Sequence, residues 1–172
     1  MNNENLQLMS TMLGEVIAGT WKGTPVDHKL IIGPVKLFPE QVQHFNLESW
    51  VEMETNWKGK SCGYSACAVG HACFDPRFQD LGLSMYNEIP MLIHEAGIDK
   101  KWEAVSVLFG ISIDLSRVLF LEKSYPDFIK HGVKPGQVKS RIDELLLIGE
   151  DAFTKQYQSV IDADNNKHLV IE

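Results

Sequence analysis

The stretch WKGKSCGYSACAVGHACF, residues 57–74, sets three cysteines and a histidine within twelve positions. Its reading decides the fold, because the same residues suit a buried helix, a metal site or a thiol active centre. From Ser65 onward the residues are small and apolar, with Gly70 as the single turn-former. Ser65 is a good N-cap, and Ala66, Ala68, Gly70 and Ala72 would let another helix approach closely. Free cysteine is among the most buried residue types and behaves as a small hydrophobe. The segment therefore predicts a central core helix, entered by a tight turn at Cys62–Gly63.

The two chemical alternatives are specific enough to test. A metal would use Cys62, Cys67, His71 and Cys73. Cys67 and His71 are four apart and share a helical face, as helix-borne ligands do. The paired C-x2-C knuckle of structural zinc sites is missing, so a fourth ligand would come from His94 or a carboxylate. No metal and no cofactor is expected. For thiol catalysis, a helix starting at Ser65 would bring Cys62 and Cys67 to its positive end, which favours the thiolate. An enzyme would then use Cys62 as nucleophile with His94 or His131 as base.

Outward from this segment the pattern is mainly α-helical. Leu6, Met9, Met12, Leu13, Val16 and Ile17 recur at helical spacing before Gly19. Asn46 can cap a helix through LESWVEME, and Pro90 can open a short one ending at Gly97. Asp99 can cap the helix bearing Trp102, Val105, Leu108 and Phe109, closed by Gly110. Ser112 caps the next, and Pro135 opens a last long helix with Val138, Ile142, Leu145 and Leu146 as its apolar stripe. The expectation is one compact domain over residues 1–172, of about six to eight short helices around the Cys/Ala/Gly-rich one. Residues 20–38 form an ordered connector or arm, and any strand is expected only there.

Composition narrows the function classes. A net charge of −7 argues against general binding to nucleic-acid backbones or anionic membranes. No apolar run reaches transmembrane length, the first ten residues lack a signal peptide's basic and apolar regions, and the odd cysteine count fits reduced thiols. A cytoplasmic location is expected.

Two resemblances add to this. The segment SCGYSAC resembles the D-C-G-x-A-C motif of bacteriocin-processing cysteine peptidases, with Ser61 in place of Asp and one extra residue between the cysteines. More of the chain is similar to small helical proteins encoded by phages and prophages, which share a C-G-T-x-x-C-x-x-G-x-A core. The matching pieces run in order: FNLESWVE, CGYSACAVGHA, LFGISIDLSRVLF, SYP and KPGQVKSRIDELL, from about Phe45 to Leu147. Tyr64 stands for the usual Thr, and Lys134 for the Thr before Pro. This resemblance implies a helical fold, a phage or bacterial origin and no particular activity.

The leading expectation is a non-catalytic accessory protein of a phage or mobile element that binds and modulates a host macromolecule. Its partner would be a host or phage protein, with no direct contact to nucleic acid or membrane. Trp21, Trp57 and Tyr86, in or beside loops, are its contact candidates, since aromatic residues are enriched at hot spots. Burial of these rings against the domain's own core is the plainer alternative. The remaining readings are a thiol hydrolase or acyltransferase, and a protein that binds or sequesters a small molecule in a pocket lined by His71, Trp50 and Trp102.

Overall fold

A computed structural model describes residues 1–24, 26–30, 33–37, 42–46, 50–55, 61–86, 89–126, 128 and 132–168; for 26–30, 33–37, 42–44, 51–55, 61–65 and 167–168 it describes the backbone alone. The chain opens with α1 (Asn3–Ala18), whose first turn is capped by the Asn2 side chain accepting from the Asn5 N–H. Leu6, Met9, Met12 and Leu13 face inward, as their spacing requires, and Gly19 ends the helix with a left-handed turn. The expected connector at 20–38 contains an antiparallel hairpin of β1 (Val26–Leu30) and β2 (Gly33–Leu37).

Strands then appear where helices were expected, which corrects the expectation that any strand would lie only within residues 20–38. A second sheet contains β3 (Val42–Phe45), β4 (Val51–Thr55) and β5 (Ser61–Ala66), in the order β3–β5–β4. The central strand β5 is antiparallel to β4 and parallel to β3. The helix expected after Asn46 is thus strand β4 from Val51 onward, residues 47–49 lying outside the described residues, and the entry to the cysteine helix is a strand rather than a turn. Central position explains this: β5 can pair its backbone on both sides, and such pairing overrides local helix preference.

The cysteine helix itself is shorter than expected. It is α2 (Ala68–Cys73), capped by Cys67 and not by Ser65, and every residue in it is buried. Packed around it are α1, β5 and the third sheet. Gly70 permits one of these approaches: a Cβ there would lie 1.9 Å from the Trp50 carbonyl oxygen. The same carbonyl accepts from the Cys67 N–H at 3.2 Å, so the helix start is seated on the turn before β4.

A short helix α3 (Pro76–Gln79) leads into the third sheet, an antiparallel meander of β6 (Leu83–Tyr86), β7 (Ile89–His94) and β8 (Gly97–Lys100). The helix expected after Pro90 is therefore β7 and its turn. Pro90 is tolerated because it pairs with Met85 on one side only; pairing with β8 begins at Met91. Leu83, Met85 and Leu92 face the core, while Ile93 and Ile98, opposite one another, face out.

From here the chain is helical. Helix α4 (Lys101–Phe109) ends at Gly110, whose φ of 58° is the left-handed conformation that stops a helix at little cost in glycine. Asp99 does not cap α4; it pairs with His94 instead. Two α4 carbonyls are satisfied by the N-terminus: Phe109 accepts from the Asn2 N–H, and Leu108 from the Asn5 side chain. Helix α5 (Ile113–Phe120) is capped by Ser112 as expected, and a 3-10 turn follows at Glu122–Ser124. Helix α6 (Pro135–Ile148) starts at the expected proline and lies along α1. Two further helices, α7 (Glu150–Gln156) and α8 (Gln158–His168), close the structure. Helices make up the larger share of the described chain, and its buried apolar residues form one core. Among the described residues no helix is long and apolar enough to cross a membrane.

Candidate functional site

The cysteine helix is the natural place to look first. Cys67 is both the helix cap and a core residue: its sulfur accepts the Gly70 N–H at 3.3 Å. A helix N-terminus favours a thiolate, but burial outweighs it here and pushes the thiol up to about 12. Cys73 donates to the Ser84 carbonyl at 3.3 Å, and burial raises it as well. Both cysteines are free thiols. Cys62 lies in β5, five residues before the cap, which in extended chain is roughly 16 Å away. It therefore does not stand at the helix N-terminus; its side chain lies outside the described residues.

The histidines are held by local partners. His71 is buried and its pKa is lowered by loss of solvent. Its Nδ1 lies 2.9 Å from the Cys67 carbonyl, which can only accept, so the proton sits on Nδ1. His94, in the β7–β8 hairpin, bonds Asp99 through Nε2 at 2.6 Å and accepts the Ala96 N–H at Nδ1. His131 lies outside the described residues, as does Trp57. Among the described residues no three His, Cys, Asp or Glu side chains are grouped as metal ligands would be.

The remaining aromatic candidates fall in three places. Trp21 packs edge-on against His71 at 5.1 Å and donates its indole N–H to Asp75 at 3.2 Å. Phe45 covers another side of His71. Trp50 and Trp102 instead pack on each other, with centroids 4.7 Å apart. Tyr86 is exposed on the meander, with the Lys100 ammonium over its ring at 5.4 Å. Asp75 is itself nearly inaccessible and is paired to Arg77, whose guanidinium also makes a two-point contact with Glu15 on α1. These contacts tie α1 to the α2–α3 junction.

A cavity of about 540 Å3 lies elsewhere, between α5, the 3-10 turn, α6, Tyr157 and α8. Val118, Leu121, Val160 and Ile161 contribute apolar wall. Arg141, on α6, is the polar residue that stands out in it, with only 7% of its surface exposed. Its Nη1 donates to the Val118 carbonyl at 2.6 Å, and to the Ser124 hydroxyl and carbonyl at 3.0 and 3.2 Å. The Val118 carbonyl is near the C-terminus of α5, where the helix dipole favours a cation. One face of the guanidinium stacks on Tyr125 at 3.6 Å, and Tyr157 lies 4.9 Å from it. Tyr125 is fixed by donating to the Leu119 carbonyl, and Tyr157 by donating to Glu144. Arg117 also lines the cavity and pairs with Asp164 of α8 at 3.3 Å, joining its two walls.

Sequence reasoning missed this site, although one signal was present. Val138, Arg141, Ile142 and Leu145 have the spacing of a single buried stripe, so a charged residue stood among core positions. Compared with known proteins, the chain matches no family model, no curated protein and no solved structure.

Proposed function

We propose that this chain is a non-catalytic binding protein that holds or sequesters a small organic molecule between α5 and the C-terminal helices. The observation that carries the reading is the cavity of about 540 Å3, largely apolar with a few converging polar groups. Ligand sites commonly span about 300–1,000 Å3 with that composition. The described thiols, by contrast, are buried, protonated and hydrogen-bonded, which suits packing better than nucleophilic attack. The resemblance to phage and prophage proteins supports an accessory role for a phage or mobile element. The test is to denature purified protein and analyse the released small molecules by mass spectrometry, beside Ala163→Phe, which adds a ring at a position on the cavity's lining. A stoichiometric compound in the wild type, absent from a folded variant, is expected. A thermal-shift fragment screen in which Ala163→Phe blocks no hit, with no compound released, ends the reading.

One observation favours a second reading, docking on a host or phage protein. On the outer face of the meander, Ile93 and Ile98 lie opposite each other and are each more than half exposed, with Tyr86 on β6 exposed too. Ile93→Lys with Ile98→Lys should then abolish co-purification with that partner while leaving the melting temperature unchanged. Unaltered co-purification would remove this reading.

A further inference from the structure

We infer that the cavity is built for an organic anion whose carboxylate or phosphate is gripped by Arg141; this rests on the cavity reading above. Arg141 is permanently charged and buried, yet among the described residues no carboxylate pairs with it. A buried charge without an anionic partner is costly to a fold, and the cavity beside it offers room for the missing anion.

The geometry narrows how that anion would approach. The three hydrogen bonds that the guanidinium makes to Val118 and Ser124 all come from Nη1. Nε and Nη2 take no part in those three bonds, and their parallel N–H bonds form the edge that matches two oxygens of a carboxylate or phosphate. Tyr125 and Tyr157 pack against the guanidinium, so a ligand would meet it along that edge rather than over its stacked face. Arg117 and Lys123 add positive charge to the walls of a protein whose net charge is −7. Of the two acids there, Asp164 is already paired with Arg117, and Asp114 lies one turn before Arg117 on α5. The apolar wall calls for an apolar body behind the anionic head, which bare inorganic phosphate lacks.

The experiment is calorimetric titration of the full chain with 2-naphthoate, 2-naphthyl phosphate and the neutral 2-naphthamide. At least one anion should bind about tenfold or more tightly than the amide, the scale of charge-assisted hydrogen bonds. Whichever anion is preferred identifies the head group as carboxylate or phosphate. Arg141→Met should erase that preference while leaving the amide's affinity unchanged. If that variant does not fold, the comparison within the wild type decides alone. An amide that binds as tightly as both anions, at a site blocked by Ala163→Phe, overturns the anion inference and leaves the cavity reading standing. No binding of any probe up to about 1 mM, or binding indifferent to Ala163→Phe, overturns both.

Discussion

Native Cys67 should be almost inert to iodoacetamide, and the size of the effect follows from its surroundings. At pH 7.5 a free thiol with a pKa of about 8.5 is roughly one-tenth thiolate. Burial pushes Cys67 up to about 12. At that value roughly three molecules in 100,000 carry the thiolate, so ionisation alone slows labelling roughly 3,000-fold. Exclusion of the reagent from the core adds to this, because attack must then await opening of the helix. The assay is time-resolved labelling at pH 7.5 in native buffer and in denaturant, with each cysteine followed on its own peptide. Cys67 and Cys73 should both label at least about a thousandfold more slowly in the native chain. Native labelling of Cys67 within a factor of ten of the denatured rate would refute the reasoning, and with it the assignment of α2 to the core. The same burial links stability to alkaline pH. Above about 8.5 the unfolded chain releases thiol protons that the folded chain keeps, so unfolding gains ground as pH rises. Each thiol contributes up to about 1.4 kcal/mol per pH unit, continuing towards about 12 for Cys67.

Gly70→Ala should destabilise by about 2–4 kcal/mol, since its Cβ would meet the Trp50 carbonyl and push α2 away from the bond made by the Cys67 N–H. Urea unfolding checks this, and a variant within about 0.5 kcal/mol of wild type would mean that the close approach is absent. Arg77→Met should cost about 2–3 kcal/mol by stranding the buried Asp75 carboxylate, with Asp75→Asn recovering part of the loss in a double-mutant cycle. Additive losses in the cycle would show the two residues to be uncoupled. His71 supplies an acid-side dependence. Below about pH 6.5 the unfolded chain takes up a proton that burial denies the folded ring, so stability falls as pH drops, by up to about 1.4 kcal/mol per unit until the folded pKa is reached. Urea midpoints between pH 7 and 5 should show that fall in the wild type and a shallower one in His71→Gln.

Long helices with clear punctuation were legible. The stripes of α1 and α6, the Ser112 cap and the stops at Gly19 and Gly110 are local features that tertiary contacts did not need to override. The meander was not legible, because β6 to β8 are short enough for periods of 2 and 3.6 to be confused. Pro90 and Gly97 also imitate a helix start and stop. Strand β5 owes its conformation to pairing on both edges, with β4 just before it and with the more remote β3, which its own local pattern does not display. The helices after Gly149 went unassigned although Phe153, Tyr157, Val160 and Ile161 carry a helical repeat. That omission hid the cavity, since Tyr157, Val160 and Ile161 form part of its wall, opposite residues of α5 and α6. Arg141 could be found in the sequence as a charge on an apolar stripe; its stack on Tyr125 could not.

The central claim is that a ligand sits between α5 and the C-terminal helices. Titration of uniformly 15N-labelled protein with 2-naphthoate, followed amide by amide in NMR spectra, tests it most directly. The account predicts saturable shifts concentrated at residues 114–126, around Arg141 and across 157–164, and none on the outer strand β8. Shifts confined to the meander, or no saturable shift at any amide, would contradict it.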